Sequence, residues 1–237
     1  MSSLYNFSQK EIDEVQIKFS KLKLDQQGVW KGIIDIYAEY EGYQINDAFE
    51  ILIITPSIFP SQPPLMIEIG GRTQAIAKKY KITDLRRLHC NPSQRNTACL
   101  CVRQEEKEKF PPGSNLVVFT ENLVVPYLYG LSYFEKFGKW PWGEYSHGGL
   151  GVLEYHAEDP TEITEQGIRE NTKLLRADEN WKEYSKQLRK PSSEKFCICG
   201  SRKPFRKCHK KAWQGLNRLY SDIHNFELNV RQLFQKQ

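Results

Sequence analysis

Apolar and polar residues alternate through residues 29–40 and again through 43–55, two runs rich in Ile, Tyr and Phe with Glu41-Gly42 between them. Alternation with period two predicts half-buried strands, and a two-residue step ending in glycine predicts a tight hairpin. Pro56 and Pro60 end the second run, because proline has no N–H to give to a ladder. A third short strand is expected over 65–69, stopped by Gly70-Gly71, so that sequential strands form an antiparallel meander. Upstream, Ser8 and Glu11 fit a capping box, which predicts a short helix within residues 1–14. Val15, Ile17 and Phe19, then Leu22 and Leu24, alternate with polar residues and read as a strand; a helix through Ile12, Val15, Phe19 and Leu22 fits the same residues.

Past the meander the period lengthens. A short basic helix is expected over 73–79, and the charged run 104–109 reads as a solvated loop or helix turn. After the Pro111-Pro112-Gly113 break, residues 116–134 are strongly apolar and predict a buried helix, with the part before Pro126 as a separate turn. Residues 138–151, rich in glycine and aromatics, predict a well-packed loop. Asp159-Pro160-Thr161-Glu162 has the form of a helix start, and Ile163, Leu174, Trp181 and Leu188 then lie on one face. Pro191-Ser192-Ser193 is a linker, and a closing amphipathic helix carries Trp213, Leu216, Tyr220, Ile223, Val230 and Leu233 in one stripe. The expectation is an α+β chain: an antiparallel meander packed by helices over 1–157, then a helical appendage over 158–237.

Composition narrows the function classes. With 237 residues and 39% hydrophobic content the chain can bury a core. No apolar run reaches membrane-spanning length and the first residues carry no signal-peptide pattern, so a soluble, cytoplasmic protein with no membrane partner is expected. In that compartment six cysteines point to thiol chemistry or metal rather than disulfides. Net charge is only +5, yet residues 186–211 hold ten Lys or Arg against one acid, Glu194. Such a cluster is an electrostatic footprint for nucleic acid; simple solvation explains it as well, and nucleic acid is not expected among the partners. No glycine-rich nucleotide loop is present, so the chain does not itself activate a carboxylate with ATP.

Two cysteine groups carry the chemistry. Residues 197–209 read Cys-Ile-Cys-Gly-Ser-Arg-Lys-Pro-Phe-Arg-Lys-Cys-His. Cys197, Cys199, Cys208 and His209 supply the four ligands of a closed tetrahedral zinc site, which leaves no position for substrate and is structural. The run resembles the SEC-C zinc motif in Cys-x-Cys-Gly-Ser, in Phe205-Arg206 and in Cys-His. The other group lies in residues 88–102, where Cys90, Cys99 and Cys101 stand beside His89 and Asn91. If Ala98, Leu100 and Val102 face inward on an extended backbone, Cys99 and Cys101 face outward together. Cys90 reads as a small buried hydrophobe.

Residues 88–102 also resemble the active-site segment of ubiquitin-conjugating (UBC) enzymes. His89-Cys90-Asn91 stands at the His-Pro-Asn tripeptide, with Cys90 for the proline. Cys99-Leu100 follows at the family's spacing, with Asn96 at the usual glycine. Phe59-Pro60-Ser61-Gln62-Pro63-Pro64 resembles the family's Tyr-Pro-x-x-Pro-Pro turn. The Trp-Pro-Trp-Gly-Glu-Tyr-Ser-His-Gly run that begins at Trp140 is similar to one in bacterial UBC-like proteins of antiphage operons.

The resemblance covers residues 1–157 and implies a UBC-like fold and a transferase with a cysteine acceptor. Asn91 would donate to the oxyanion, and His147 would serve as base or proton shuttle. Spacing from His89 selects Cys99; spacing to Phe110-Pro111 selects Cys101, and the choice stays open with Cys101 slightly ahead. It further implies a CBASS-type partner, a cGAS-like nucleotidyltransferase of the same operon. Its activity would rise on thioester or disulfide formation or on conjugation, with a separate activating enzyme supplying the acyl group. The rival readings are a non-catalytic binding module on the same scaffold, a basic zinc module that binds nucleic acid, and a Cys-His peptidase using His147.

Overall fold

Ser8 starts the first helix as the capping box requires: Glu11 N–H donates to its hydroxyl, and the Ser8 N–H donates to the Glu11 carboxylate at 2.8 Å. That helix, α1, spans Gln9–Lys18 in the computed structural model, which describes residues 4–91, 95–158, 163–192 and 194–235. The strand reading of Val15 to Phe19 is therefore corrected to a helix that ends at Lys18, short of the Leu22 the helical reading reached; Leu22 and Leu24 do lie in a strand. Val15 is buried while Ile17 is 84% exposed, a helical and not a two-faced pattern. The chain divides into two compact units, Met1–Gly143 and Glu144–Gln237.

The first unit is built on a four-stranded antiparallel meander: β1 (Leu22–Gln26), β2 (Val29–Tyr40), β3 (Tyr43–Ile54) and β4 (Leu65–Glu68), in sequence order. Glu41 and Gly42 both take positive φ, 49° and 78°, the conformation a two-residue hairpin turn needs. In register Trp30 faces Ile53, Ile34 faces Phe49 and Ala38 faces Ile45, which puts one apolar set on the inner face. At Gly32 an added Cβ would lie 2.1 Å from the Lys21 carbonyl oxygen, so only glycine permits the close pairing with β1. α2 (Arg72–Lys79) follows β4, and Glu68 accepts from the N–H groups of Arg72 and Thr73 at its start.

A short helix, α3 (Glu106–Lys109), forms in the charged run. The long apolar segment is then one path with three parts: α4 (Leu116–Phe119), a π turn over Thr120–Val124 and α5 (Val125–Phe137). The widened turn lies just ahead of Pro126, whose ring would otherwise meet the preceding turn's carbonyl. Phe119, Leu128 and Leu131 are fully buried in the same core as the inner face of the sheet. The Tyr129 hydroxyl donates to the Tyr43 carbonyl at 2.7 Å, which ties α5 to the start of β3.

The second unit is helical: α6 (Gly149–Glu158), α7 (Glu165–Ala177), α8 (Trp181–Arg189), α9 (Phe205–Cys208), α10 (Lys210–Asn225) and α11 (Val230–Leu233). Three expectations are corrected here. The single face through Ile163, Leu174, Trp181 and Leu188 is broken between α7 and α8, where Asp178 accepts from Asn180 N–H; Ile168 and Leu175 are the buried apolar residues of α7. The closing helix is also two, because Glu227 takes φ 53° and Asn229 caps α11 through Arg231 N–H. The expected helix start at Asp159-Pro160-Thr161-Glu162 lies outside the described residues. Gly149 to Gly151, expected in the aromatic loop, open α6 instead. α6 and α10 cross closely at Gly215, where a Cβ would fall 1.7 Å from the Leu153 carbonyl oxygen. No helix among the described residues is long and apolar enough to cross a membrane.

Candidate thiol hairpin and metal centre

After a short helical turn, Leu85–Leu88, His89 takes φ 49° and reverses the chain into a two-strand ladder, β5 (Cys90–Asn91) against β6 (Thr97–Ala98). Arg95 and Asn96 close it at φ 57° and 62°, and Asn96 N–H donates to the Asn91 carbonyl at 3.0 Å. Asparagine is tolerated there because its short polar side chain suits left-handed backbone. Cys90 pairs with Ala98 and Asn91 with Thr97. One step further, Cys99 N–H donates to the His89 carbonyl at 2.7 Å. The ladder thus sets Cys99 beside His89, about two strand residues, or roughly 7 Å along the chain, from the residue opposite Asn91.

The hairpin is held from within its own unit. Tyr127, on α5, donates its hydroxyl to the Leu88 carbonyl at 3.1 Å, and Trp140 donates its indole N–H to the Arg87 carbonyl at 3.2 Å. The Trp140 ring meets the His89 imidazole edge-on at 4.7 Å. Gly130 gives Trp140 its place, since a Cβ there would lie 2.4 Å from that ring.

The three thiols are unequal. Cys90 is buried, as expected; its Sγ donates to the Asn96 carbonyl at 3.3 Å, and burial, with the nearby Glu68 charge, pushes the thiol up to about 11. The expectation that Cys101 faces outward with Cys99 is not met. Regular pairing ends at Ala98, so the alternation does not carry to residue 101; both sulfurs are half-buried, and Cys101 packs against the core of the first unit. Burial pushes the Cys101 thiol up to about 12, with Lys109 opposing and Glu106 and Glu105 adding to the rise. Cys99 Sγ lies 3.9 Å from the Cys101 carbonyl. Asn91 is half-buried in β5. His147 belongs to the second unit, in the bend before α6 between two anchors: Ser146 donates its N–H and hydroxyl to Glu154, and Gly149 N–H donates to Asp178 at 2.7 Å.

In the second unit the sequence motif folds as a tight knuckle. Phe196 bridges Pro204; Cys197 N–H donates to the Lys203 carbonyl at 2.8 Å and Phe205 N–H to the Lys195 carbonyl at 2.9 Å. Gly200, at φ 80°, makes the sharp turn after the first pair of cysteines. Phe205 is fully buried and anchors the knuckle in the core of this unit, 5.8 Å from the Trp213 ring. The donor atoms of Cys197, Cys199, Cys208 and His209 all lie within 4.8 Å of one another. Cys197 Sγ is 3.2 Å from His209 Nδ1, and Cys199 Sγ is 3.6 Å from Cys208 Sγ, far beyond a disulfide bond.

Tetrahedral Zn–S bonds of about 2.3 Å set sulfurs roughly 3.8 Å apart, so this group is of a size and donor type able to hold a metal ion of zinc's kind. Burial pushes the Cys197 thiol up to about 12. At Cys199 burial acts in the same sense, but hydrogen bonds from Ser201 outweigh it and the thiol ends below its ordinary value. A bound ion would hold both as thiolates.

A polar network with no local sequence signal is built on Asp47 of β3. Arg72 donates to both Asp47 carboxylate oxygens, at 3.0 and 2.8 Å, and to Glu135 at 2.6 Å, while Ser132 donates to Asp47 at 2.7 Å. Burial alone would raise the Asp47 carboxyl; the Arg72 and Ser132 hydrogen bonds hold it below its usual range. These residues line a cavity of about 310 Å³ together with Tyr43, Lys79 and Lys136. With both carboxylates already committed to Arg72, the network serves to lock α2 and α5 to the sheet. No protein family, curated protein or solved structure was found to match this chain.

Proposed function

We propose that the chain is a thiol transferase of the ubiquitin-conjugating kind, with Cys99 as the acceptor, and that the second unit holds a structural zinc ion on Cys197, Cys199, Cys208 and His209. The observation that carries this reading is the hairpin. It fixes Cys99 by a backbone hydrogen bond to His89, on a turn braced by Tyr127 and Trp140, beside an antiparallel meander. Cys90 is sealed, and Cys101 is packed against the core with its thiol pushed far above neutrality, so the order of preference between the two candidate acceptors turns to Cys99.

In the proposed reaction the Cys99 thiolate attacks the thioester carbonyl of an acyl group carried by a separate activating enzyme. The carrier's thiolate leaves and a new thioester forms on Cys99. An amine, on a target lysine, then attacks that thioester; the C–N bond forms, the C–S bond breaks, and the amine's proton passes to solvent. The Asn91 amide is the proposed donor to the tetrahedral oxyanion, which needs a positioned hydrogen bond in a water-poor site. The resemblance to bacterial UBC-like proteins supports a cGAS-like nucleotidyltransferase of the same operon as target. In the exchange variant of the same site the Cys99 thiolate attacks an existing disulfide of that partner; the mixed disulfide forms, the partner's S–S bond breaks, and its second sulfur leaves as a thiolate.

The test is trapping. The chain, purified under non-reducing conditions from cells that express the neighbouring genes, should carry a hydroxylamine-sensitive or reductant-sensitive adduct. Cys99→Ala should abolish it while Cys101→Ala retains it. An adduct that survives Cys99→Ala would refute the assignment.

A further inference from the structure

The knuckle and the segment leading into it combine a dense run of cations with an exposed aromatic ring, Phe196. Phe196 is 66% exposed although it sits in the bridged ribbon beside a metal-ligand cysteine, and Gln187 of α8 donates to its carbonyl at 3.2 Å, which fixes its backbone. Lys195 precedes it, and the Lys195 ammonium donates to the Lys190 carbonyl at 2.7 Å, joining the end of α8 to the ribbon. Lys203 lies across the ribbon, Arg202 leads into it at φ 57°, and Arg206 and Lys207 continue on α9. Arg189, Arg202, Lys203, Arg206, Lys207 and Lys210 are all exposed. Glu194, the one acid in residues 186–211, pairs with Arg206 at 2.8 Å, and Glu183 just outside that span pairs with Lys186 at 3.6 Å, so the cations outnumber the acids. A zinc ion on three thiolates and one imidazole would carry about one net negative charge, too little to balance the rest.

We propose that this surface binds single-stranded nucleic acid, with Phe196 stacking on an unpaired base and the surrounding Lys and Arg meeting phosphates. The two observations together select that partner. Cations alone would suit any polyanion, an acidic peptide included. A ring left in water within the same basic segment finds a matching face on an unstacked base, which neither a carboxylate-rich peptide nor a closed duplex offers. This goes beyond the thiol chemistry and stands or falls separately from it, because every residue invoked lies in the second unit.

The experiment is fluorescence anisotropy of a short labelled oligo(dT) strand with the metal-loaded full-length chain, across a salt series. A matched duplex and polyglutamate serve as competitors. Phe196→Ala should weaken binding about tenfold or more, as removal of one base–aromatic stack does. Joint replacement of Arg202 and Lys203 by alanine should flatten the log–log salt dependence by about 0.7 for each phosphate no longer neutralised. Circular dichroism and metal content establish that the variants keep the fold. The proposal is overturned if the strand does not bind at low salt, if Phe196→Ala binds like the unaltered chain, or if duplex or polyglutamate competes as well as the single strand.

Discussion

Cys99 and Cys101 are two residues apart and of one type, yet their surroundings give them different chemistry. Cys101 lies against the hydrophobic core and its thiol is pushed up to about 12, so almost none of it is thiolate near neutrality. Peptide-resolved alkylation with iodoacetamide of the metal-loaded chain at about pH 8 should label Cys99 well before Cys90 or Cys101. Equal rates at Cys99 and Cys101 would remove the physical basis for choosing between them.

The raised thiols also fix a stability trend. Cys90 and Cys101 titrate at about 11 and about 12 when folded, against about 8.5 unfolded. The stability contributed by their protonated burial is therefore complete below about pH 8.5 and is lost as pH rises toward those values. Urea unfolding between about pH 7 and pH 10 should show that fall, and joint replacement of the two by alanine should reduce it. The thiol cluster itself, the metal-ligand spacing and the left-handed turn at Asn96 are all readable from residue identity. The burial of Cys101 is not, because the alternation argument assumes an extended backbone and the ladder stops at Ala98.

Elements are legible where local signals agree with tertiary packing. The capping box at Ser8 and Glu11, the Glu41-Gly42 hairpin and the strands on either side of it come directly from sequence. Expectation and structure part where a period is continued through a break. Val15 to Phe19 fit two periods, and only the burial of Val15 beside exposed Ile17 decides between them. The apolar stripe of the final helix runs on through Glu227, whose positive φ ends the helix. Close crossings leave no trace in hydropathy, and Gly215 is the clearest case. Its missing side chain lets α10 lie on the Leu153 carbonyl of α6. Gly215→Ala must push the helices apart and should cost about 1–3 kcal/mol, the usual penalty of overpacking; thermal unfolding measures it. A variant as stable as the unaltered chain would mean the crossing is loosely packed.

At the scale of the whole molecule the chemistry is divided between two units. The first presents a thiol on a braced hairpin beside a meander; the second closes a helical core over a Cys3His knuckle. Cys197, Ile198 and Phe205 belong to that core, so the knuckle is part of its packing. Metal removal by a strong chelator should therefore lower amide protection in α8, α9 and α10 while β2 and β3 keep theirs; Cys208→Ser should do the same without chelator. Loss of protection in β2 and β3 alone would contradict a role confined to the second unit.

The proposed transient covalent bond between Cys99 and another protein is read by intact-mass analysis of the chain isolated from its own cells, followed by peptide mapping of the modified residue. A thiol-linked adduct on Cys99, present in Cys101→Ala and absent from Cys99→Ala, is the expected result; an adduct that maps to another residue, or a chain that carries none in any of the three forms, contradicts it.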